Sequence, residues 1–394
     1  MLRRKFIRTG GFTLSGMMTA SGLFPQKALA KPSDVRKIIP PNLDSAYLGE
    51  KILCYRPMRH GSPNMSVARE GEKLIAHNYG HGGSGWTLAP GCATFVNSLL
   101  LKAAQEGNTL TPKTPIAIIG AGVIGLFSAY DLVKRGYRNI TIYADRTESL
   151  TSHNAGGLLA PVSMDNAPEM QATIDQIGID AYRFFASIAR GKHPDFRKGV
   201  LVVPTYFENR EESGLEPYVG KVMAPAKDVT LDFGNGTTRK MVAYDDGIYM
   251  DTATLMGELR TFLRKAKVSI VTRKISTLTE LSEPCVLNCA GLGSVALAND
   301  QKLVPVQGHL IMLKNQIARN LQYMILVYFG EDKTEFNQTV KRSFYIFPKR
   351  LANSAARDIG VVGGTFIEGG NPSTPNLKEF DVMLQGAKRF YGLS

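Results

Sequence analysis

The hydrophobic pattern of the chain is clearest where an apolar, β-branched run occupies residues 115–119. A short run of this kind that stops at a glycine is typical of a strand buried in a parallel sheet. Residues 126–136 then place apolar side chains at helical spacing, which predicts a helix with one buried face. A second apolar run at residues 139–143 predicts the next strand. The pattern therefore predicts a strand–helix–strand unit of an α/β domain.

The turn between the first strand and the helix carries a glycine-rich fingerprint. Gly120 permits a tight turn, Gly122 lets the backbone approach a pyrophosphate, and Gly125 lets the helix pack against the strand. Asp145 follows the second strand, where its carboxylate can accept a hydrogen bond from a ribose hydroxyl. These features predict a dinucleotide site, and they leave FAD, NAD and a turn without a ligand as alternatives. Its predicted members, besides Asp145, are Gly120, Ala121, Gly122, Val123, Ile124 and Gly125.

A second glycine-rich segment, residues 77–87, lies ahead of the fingerprint in the chain. Its glycines would let the backbone approach a flat ring, and a helix predicted at residues 90–105 would direct its positive N-terminal end at that ring. His77 and His81 stand at the spacing of helical metal ligands, but four glycines in this segment disfavour a helix. No third ligand is evident, so both histidines are expected to be structural and no metal site is predicted.

These segments together resemble the D-amino-acid oxidase family. The resemblance also includes four further segments and covers about residues 45–394 when the chain is read cyclically; they are residues 143–158, 286–291, 305–309 and 363–366. In that family the segment that resembles residues 77–87 closes the chain, whereas here it comes before the fingerprint. The resemblance therefore implies a circularly permuted α/β fold, with a Rossmann-type FAD-binding domain and a mixed-sheet α+β substrate domain.

The resemblance also implies a division of the chain into two discontinuous domains. The polar, turn-rich stretch 106–114 is interpreted as the linker that joins the family's usual C-terminus to its usual N-terminus. The helix predicted at residues 377–391 should end close to a strand that begins near residue 46, because a permutation needs neighbouring ends. The predicted FAD-binding domain comprises residues 62–163 and 240–300, and the substrate domain residues 36–61, 164–239 and 301–394.

The cofactor implied by the resemblance is FAD. Asp145 and Arg146 would meet the adenosine, and residues 155–158 would run along the isoalloxazine ring. Arg56 matches the arginine that binds the substrate carboxylate, for which the alternative is a surface ion pair. Tyr345 matches the tyrosine that shares this carboxylate, for which the alternative is a buried strand tyrosine. The other cofactor contacts implied are Gly82, Gly83, Ser84, Gly85, Thr87, Thr151, Gly156, Gly157, Leu158, Ile275, Ala290 and Gly291.

The function implied is oxidative deamination of a D-amino acid to a 2-oxo acid, ammonia and hydrogen peroxide. Hydride would pass from Cα to flavin N5, with oxygen as the acceptor. Alternatives are a glycine or D-aspartate oxidase, a quinone-linked D-amino-acid dehydrogenase of the same fold, and a non-catalytic exported flavoprotein. A second family tyrosine, on a lid, falls at Lys341 in this chain. Lys341 and Arg342 would then favour an acidic substrate side chain, unless they are solvated surface charges.

Composition and charge narrow the partners. A chain of 394 residues with 44% hydrophobic and 21% charged residues has the composition of a folded α/β protein and can hold two cores. The formal net charge is +13, and it falls to about +8 without the basic first thirty residues. The remaining lysines and arginines are scattered along the chain, which favours anionic substrates. No nucleic-acid-binding motif is present, so the expected partner is a small molecule. The sequence leaves the oligomeric state open.

The first thirty residues resemble a twin-arginine-type export signal. Residues 3–8 are basic, residues 10–24 are weakly apolar, and residues 28–30 form a small-residue cleavage site. The apolar stretch is too short and too polar for a membrane span. A mature, exported and periplasmic protein without a stable membrane span is therefore expected, with an uncleaved anchor as the alternative.

The cysteines give no metal or redox signature. Cys285 and Cys289 lie on one predicted strand, too far apart for a mutual disulfide. Metal-ligand spacing is absent from the sequence around all four cysteines. They are expected to be small buried residues, although export would permit them to pair.

Overall fold

This computed structural model describes residues 34–105, 110–351 and 354–393, whose strands form two large sheets and a two-stranded sheet in which β7 (Val200–Val202) pairs with β11 (Ile248–Met250). The predicted export signal and residues 106–109 of the predicted linker lie outside the described residues. The strands are β1 (Asp34–Lys37), β2 (Leu48–Arg59), β3 (Asn64–Glu70), β4 (Lys73–Tyr79), β5 (Ile116–Ile119), β6 (Ile140–Ala144), β7 (Val200–Val202), β8 (Thr205–Phe207), β9 (Lys227–Asp232), β10 (Thr238–Tyr244), β11 (Ile248–Met250), β12 (Ser269–Thr272), β13 (Cys285–Asn288), β14 (Leu303–Leu313), β15 (Met324–Lys333), β16 (Thr339–Phe347) and β17 (Val361–Glu368). The helices are α1 (Gly85–Gln105), α2 (Val123–Lys134), α3 (Thr151–Asn154), α4 (Pro168–Ala189), α5 (Thr252–Lys265), α6 (Ser294–Leu297) and α7 (Lys378–Tyr391).

The first sheet has six strands in the order β12-β6-β5-β13-β4-β3. All neighbours are parallel except β3, which runs antiparallel to β4. All four residues of β5 are buried, as expected for a continuous apolar run covered on both faces. The strands predicted at residues 115–119 and 139–143 are thus confirmed as β5 and β6. The alternating burial of β6 agrees with its place one strand nearer the sheet edge.

Both helices of the nucleotide-binding region begin earlier than the sequence predicted. Helix α2 begins at Val123 rather than at residue 126, because extended Gly122 caps it and accepts a hydrogen bond from Leu126 N–H. Helix α1 begins at Gly85 rather than near residue 90, although Pro90 and Gly91 then lie inside it. A Cβ at Gly91 would come within 2.3 Å of a carbonyl oxygen of α4. Close packing between helices therefore outweighs the low helix propensity of these residues.

The second sheet has nine strands in the order β1-β9-β10-β8-β15-β16-β17-β14-β2. It is mostly antiparallel, and helix α7 packs on one face through Phe380, Met383 and Phe390. The described residues cluster as one compact unit. The domain boundaries drawn from the sequence therefore stay a prediction, although the mixed α/β architecture itself is confirmed.

The segment that precedes the fingerprint contributes to both sheets. Strand β2 pairs along its length with β14, while β4 pairs with β13. At the other end of the chain, the Tyr323 hydroxyl lies 3.1 Å from that of Tyr391 and 3.3 Å from the carbonyl oxygen of Ile39. The end of α7 and the chain before β2 therefore pack together, as expected from the sequence.

The four cysteines, Cys54, Cys92, Cys285 and Cys289, are free thiols. Three are buried, and Cys54 is half-buried. Burial raises the pKa of Cys285 and of Cys289 to about 12, so both are protonated at neutral pH. Among the described helices, none is long and apolar enough to cross a bilayer.

We expect the pair between Glu379 and Arg342 to anchor α7 to the sheet. Glu379 is 3% exposed and binds the Arg342 guanidinium with two hydrogen bonds of 3.0 and 2.8 Å. Glu379→Ala should lower the free energy of unfolding by about 2 kcal/mol, because it leaves a largely buried charge with fewer partners. Urea denaturation measures this change.

Asp381→Ala is the matched control, since Asp381 lies on the same helix turn but pairs with Lys51 at the exposed surface. It should change the free energy of unfolding by less than about 0.5 kcal/mol. Equal destabilisation by both variants would contradict the assignment.

Candidate active site

A cavity of about 1000 Å³ lies where the carboxyl ends of β5, β13 and β4 meet strands of the larger sheet. Its lining comes from both sheets and from the loops that follow β5, β6 and β13. Ligands of open α/β sheets bind at this edge, where parallel strands end. A cavity of this volume can hold a large organic ligand.

The turn between β5 and α2 forms one wall of this cavity. Gly120 has φ +109°, and a Cβ there would lie 2.4 Å from the Cys289 carbonyl oxygen. A Cβ at Gly125 would lie 2.0 Å from the Gly120 oxygen, so both glycines are required by close approach. The N–H groups of Ala121 and Gly122 donate to no other described residue. These groups and the N-terminus of α2 form an anion site suited to a pyrophosphate.

Another part of the cavity lining comes from Gly82, Gly83, Gly85 and residues 156–158. Gly85 lines the cavity, and a Cβ added there would meet no atom within 4 Å. The Nε2 atom of His81 and the Oδ1 atom of Asn78 are buried without a hydrogen-bond partner, and both residues line the cavity. Burial lowers the pKa of His81 to about 4, so its ring is neutral. The open space lies at Gly85, where the backbone leaves room for a flat ring such as a flavin.

Most residues predicted to bind the cofactor line this cavity. The lining includes Gly82, Gly83, Gly85, Gly120, Ala121, Gly122, Val123, Ile124, Asp145, Arg146, Thr151, Gly156, Gly157, Leu158, Ile275, Ala290 and Gly291.

Three predicted members, Ser84, Thr87 and Gly125, lie outside the lining. The hydroxyl of Ser84 donates to Val162 O at 2.7 Å, and that of Thr87 donates to Ala160 O at 2.9 Å. They support the cavity wall rather than forming its surface. His77, expected to be structural, lies 3.4 Å from the Asn288 amide and outside the lining, whereas His81 belongs to the lining.

Arg56 projects from β2 into the same cavity. Its Nη2 atom donates to the Thr365 carbonyl at 2.5 Å and to the Gln307 carbonyl at 3.3 Å. Its Nε atom is buried and has no hydrogen-bond partner. The Arg56 guanidinium forms no ion pair with a described carboxylate. The guanidinium is therefore fixed by backbone oxygens and keeps donors free for an arriving carboxylate.

Thr365 holds this arginine in place, and the sequence did not single it out. Its φ of +57° is a left-handed conformation that a β-branched residue rarely adopts. Its hydroxyl lies 2.8 Å from His309 Nδ1 and accepts the His309 N–H at 3.2 Å. Such strain persists where the surroundings impose it, and here it turns a carbonyl toward Arg56. The sequence identifies residues 363–366 only through the family resemblance. It does not predict the role of Thr365, because a sequence does not show backbone dihedral angles.

Tyr345 lines the cavity from β16, and its ring stacks on that of Phe347 at 4.2 Å and 6°. A Cβ at Gly363 would come within 2.1 Å of the Tyr345 ring, so this glycine makes room for it. Burial raises the pKa of Tyr345, and the Arg56 charge offsets that rise only in part. The hydroxyl therefore stays protonated beside Arg56 and can donate a hydrogen bond.

Lys341 and Arg342 lie within β16 and not on a lid, which corrects the expectation. Arg342 binds Glu379 and Asp332, so its charge is neutralised away from the cavity. Lys341 lines the cavity and forms no ion pair with a described carboxylate. Its Nζ atom is 5.9 Å from the centre of the Phe366 ring, and the Arg56 guanidinium is 5.6 Å from the same centre.

The chain is similar to several known proteins. The family model described as FAD dependent oxidoreductase matches residues 115–392. A D-amino-acid oxidase from Dictyostelium discoideum is 28% identical over 287 residues, which are 70% of this chain and 72% of that protein. A D-aspartate oxidase from Homo sapiens is 29% identical over 211 residues, which are 50% of this chain and 59% of that protein. A solved glycine oxidase from Geobacillus kaustophilus has a TM-score of 0.48 and 16% identity, covering 71% of this chain and 80% of that one.

The free space at Gly85 generates a prediction about cofactor binding. Gly85→Leu should fill part of the cavity without a clash inside the protein. The leucine would overpack the site when FAD binds, which costs about 1–3 kcal/mol and should lower the affinity for FAD roughly tenfold or more. Flavin fluorescence during titration of the apoprotein measures this affinity.

Gly257→Leu is the control, because Gly257 is also helical and also has no atom within 4 Å of an added Cβ, but lies outside the cavity. It should bind FAD like the unchanged protein. Equal FAD affinity in the two variants would show that the ring does not approach Gly85.

Proposed function

The chain belongs to the FAD dependent oxidoreductase family, whose cofactor is FAD and which acts on amino groups. We propose that this protein deaminates a D-amino acid oxidatively. The products are a 2-oxo acid, ammonia and, with oxygen as the acceptor, hydrogen peroxide. The observation that carries the proposal is the convergence of Arg56 and Tyr345 on the cavity that the fingerprint glycines also line. The name of the Dictyostelium relative supports the choice of D-amino acids.

The cofactor fits the residues present. The amides of Ala121 and Gly122 would hold the pyrophosphate, and Asp145 would bind a ribose hydroxyl. Residues 82–85 and 156–158 would enclose the ring. When bound, FAD supplies the electron acceptor, taking a hydride from the substrate Cα at flavin N5.

The protein residues orient the substrate. Arg56 Nη1 and the Tyr345 hydroxyl have no hydrogen-bond partner among the described residues, and together they would fix the two oxygens of an α-carboxylate. Fixing the carboxylate restricts where Cα and the amine can lie, which is the main contribution of such a site to the rate. The proposed route needs no side chain as a strong base, because the substrate amine has only to lose its ammonium proton.

A dicarboxylic D-amino acid is the second candidate substrate. Lys341 is a cavity cation without a carboxylate partner among the described residues, and it lies near the same ring as Arg56. One cation would then bind the α-carboxylate and the other the side-chain carboxylate. The human relative named D-aspartate oxidase supports this candidate.

We also propose that the chain is a circular permutant. The family match begins at residue 115, yet β2, β4 and α1 precede it and complete both sheets and the cavity. The end of α7 packs against the chain before β2, as neighbouring new ends require. Export through the twin-arginine-type signal, to the periplasm, remains a further proposal that rests on the sequence alone.

The proposed function predicts anaerobic reduction of the bound flavin by a D-amino acid. The flavin absorbance should bleach with D-alanine or D-aspartate and not with the L-forms, and peroxide should appear in proportion to substrate when oxygen is added. Arg56→Ala should lower kcat/KM about a hundredfold or more, because charged hydrogen bonds of about 1.5–3 kcal/mol each are lost. The variant should retain FAD.

Alternative functions give other outcomes of this experiment. Bleaching without peroxide would indicate a quinone-linked dehydrogenase, and failure with every D-amino acid and glycine would leave a non-catalytic flavoprotein. Loss of FAD in the Arg56→Ala protein would show that the arginine serves the cofactor instead of the substrate.

The unpaired charge of Lys341 predicts the substrate preference. Lys341→Met should lower kcat/KM for D-aspartate roughly tenfold while changing that for D-alanine by less than about threefold, because one charged contact of about 1.5 kcal/mol is lost. Steady-state kinetics with both substrates measure the ratio. Lys333→Met, in the neighbouring strand β15, is the control and should leave the ratio unchanged. An equal effect of Lys341→Met on both substrates would argue against acidic selectivity.

A further inference from the structure

Lys349 is a buried cation that the proposed reaction does not use. It follows β16 and is 1% exposed. Its Nζ atom donates to the carbonyls of His153 and Ala155, each at 2.8 Å, and to Thr252 Oγ1 at 2.9 Å. An ammonium group has three donors, so all of them are satisfied. The structure records no ion pair between Lys349 and any described carboxylate, and the Asp251 carboxylate acts on its charge only from beyond ion-pair distance.

The residues that Lys349 binds belong to the cavity wall. Ala155 and Gly156 line the cavity, whereas Lys349 lies behind them. In a trans peptide the carbonyl and the next N–H point to opposite sides. Because the Ala155 carbonyl points to Lys349, the Gly156 N–H points away from it, to the side where the cavity lies. This N–H donates to no other described residue.

This segment has few other restraints. Gly156 carries no side chain, and the Phe347 ring packs against it, within 2.7 Å of where a Cβ would lie. On its N-terminal side, the Ala155 N–H donates to the Thr151 carbonyl at 3.1 Å. Its next backbone anchor is Gly157, whose carbonyl accepts from Met250 N–H at 2.7 Å. Of the hydrogen bonds to this segment, the one from Lys349 to the Ala155 carbonyl acts on the same peptide unit as the Gly156 N–H, and it therefore acts most directly on the direction of that N–H.

We propose that Lys349 is a positioning residue for FAD: it keeps the Gly156 N–H directed at the flavin, and its unpaired charge favours the reduced, anionic flavin. The inference requires only that FAD occupies the cavity, and it holds for any amine substrate.

The charge is retained under working conditions. Burial lowers the pKa of Lys349 to about 8, so the ammonium form predominates at neutral pH. Charges interact more strongly in a protein interior than in water, so a cation behind the ring's wall stabilises negative charge on the ring. A flavin gains such charge when it is reduced, and the effect of Lys349 is therefore larger on the reduced state.

Lys349→Met is the direct test, because Met keeps much of the side-chain volume and removes both the charge and the donors. The variant should bind FAD roughly tenfold more weakly, since hydrogen bonds from a charged group are lost. Its flavin should prefer the oxidised state by a further factor of ten, which lowers the midpoint potential by about 30 mV. Fluorescence titration of the apoprotein and dye-coupled potentiometry measure these quantities, and neither requires a substrate.

Lys240→Met is the matched control, because Lys240 is an exposed lysine of strand β10 in the larger sheet. It should leave the dissociation constant of FAD and the midpoint potential unchanged. A Lys349→Met protein that equals this control in either quantity would overturn the proposal.

Thr252→Ala keeps the inference testable if Lys349→Met does not fold. It removes one acceptor of the ammonium and keeps the charge. FAD binding should weaken severalfold, and the midpoint potential should stay at the value of the unchanged protein. Unchanged FAD binding in this variant would overturn the positioning role, and a lowered potential would overturn the assignment of the electrostatic effect to the Lys349 charge.

Discussion

The parallel pairing of β13 with both β5 and β4 is the contact on which the site depends. Asn288, at the end of β13, stands opposite Ile119 on one side and His77 on the other. Since parallel strands end at one edge of a sheet, this register brings two distant glycine-rich segments to the same cavity. The order of these strands along the chain does not enter into the geometry. A permuted order can therefore leave the FAD site intact as long as the same strands are neighbours.

A second strand register places Arg56 at the same cavity. Arg56 stands opposite Val306 in the pairing of β2 with β14, and β14 in turn pairs with β17, which carries Thr365. The bulge near residue 308 lets Thr365 accept the His309 N–H with its hydroxyl and turn its carbonyl to Arg56. The arginine is thus placed by three neighbouring strands. Hydrogen bonds to two backbone carbonyls hold its side chain in one orientation, so the guanidinium is preorganised for binding a carboxylate in the cavity.

The sequence predicts what depends on local chemistry and misses what depends on tertiary contacts. Glycine spacing predicts the fingerprint at residues 120–125, and apolar runs predict the strands on either side of it. The family resemblance predicts that Arg56 and Tyr345 belong to the same site. The start of α1 was wrong because close packing with α4 overrides propensity at Gly91. Thr365 and Lys349 were missed because their signals are a dihedral angle and a set of backbone acceptors, which no residue pattern shows.

The buried cations of the site differ from a cation that holds the fold together in whether a carboxylate neutralises their charge. Arg342, which fastens α7 to the sheet, is neutralised by Glu379 and Asp332. Arg56 and Lys349 are held instead by backbone carbonyls, and neither forms an ion pair with a described carboxylate. A carbonyl satisfies a donor without cancelling the charge, and burying such a charge costs stability unless it is balanced. Under the proposed function, a substrate carboxylate would supply that balance at Arg56 and a reduced flavin ring would supply it near Lys349. If incoming ligands provide the negative charge in this way, ligand binding will also stabilise this part of the fold.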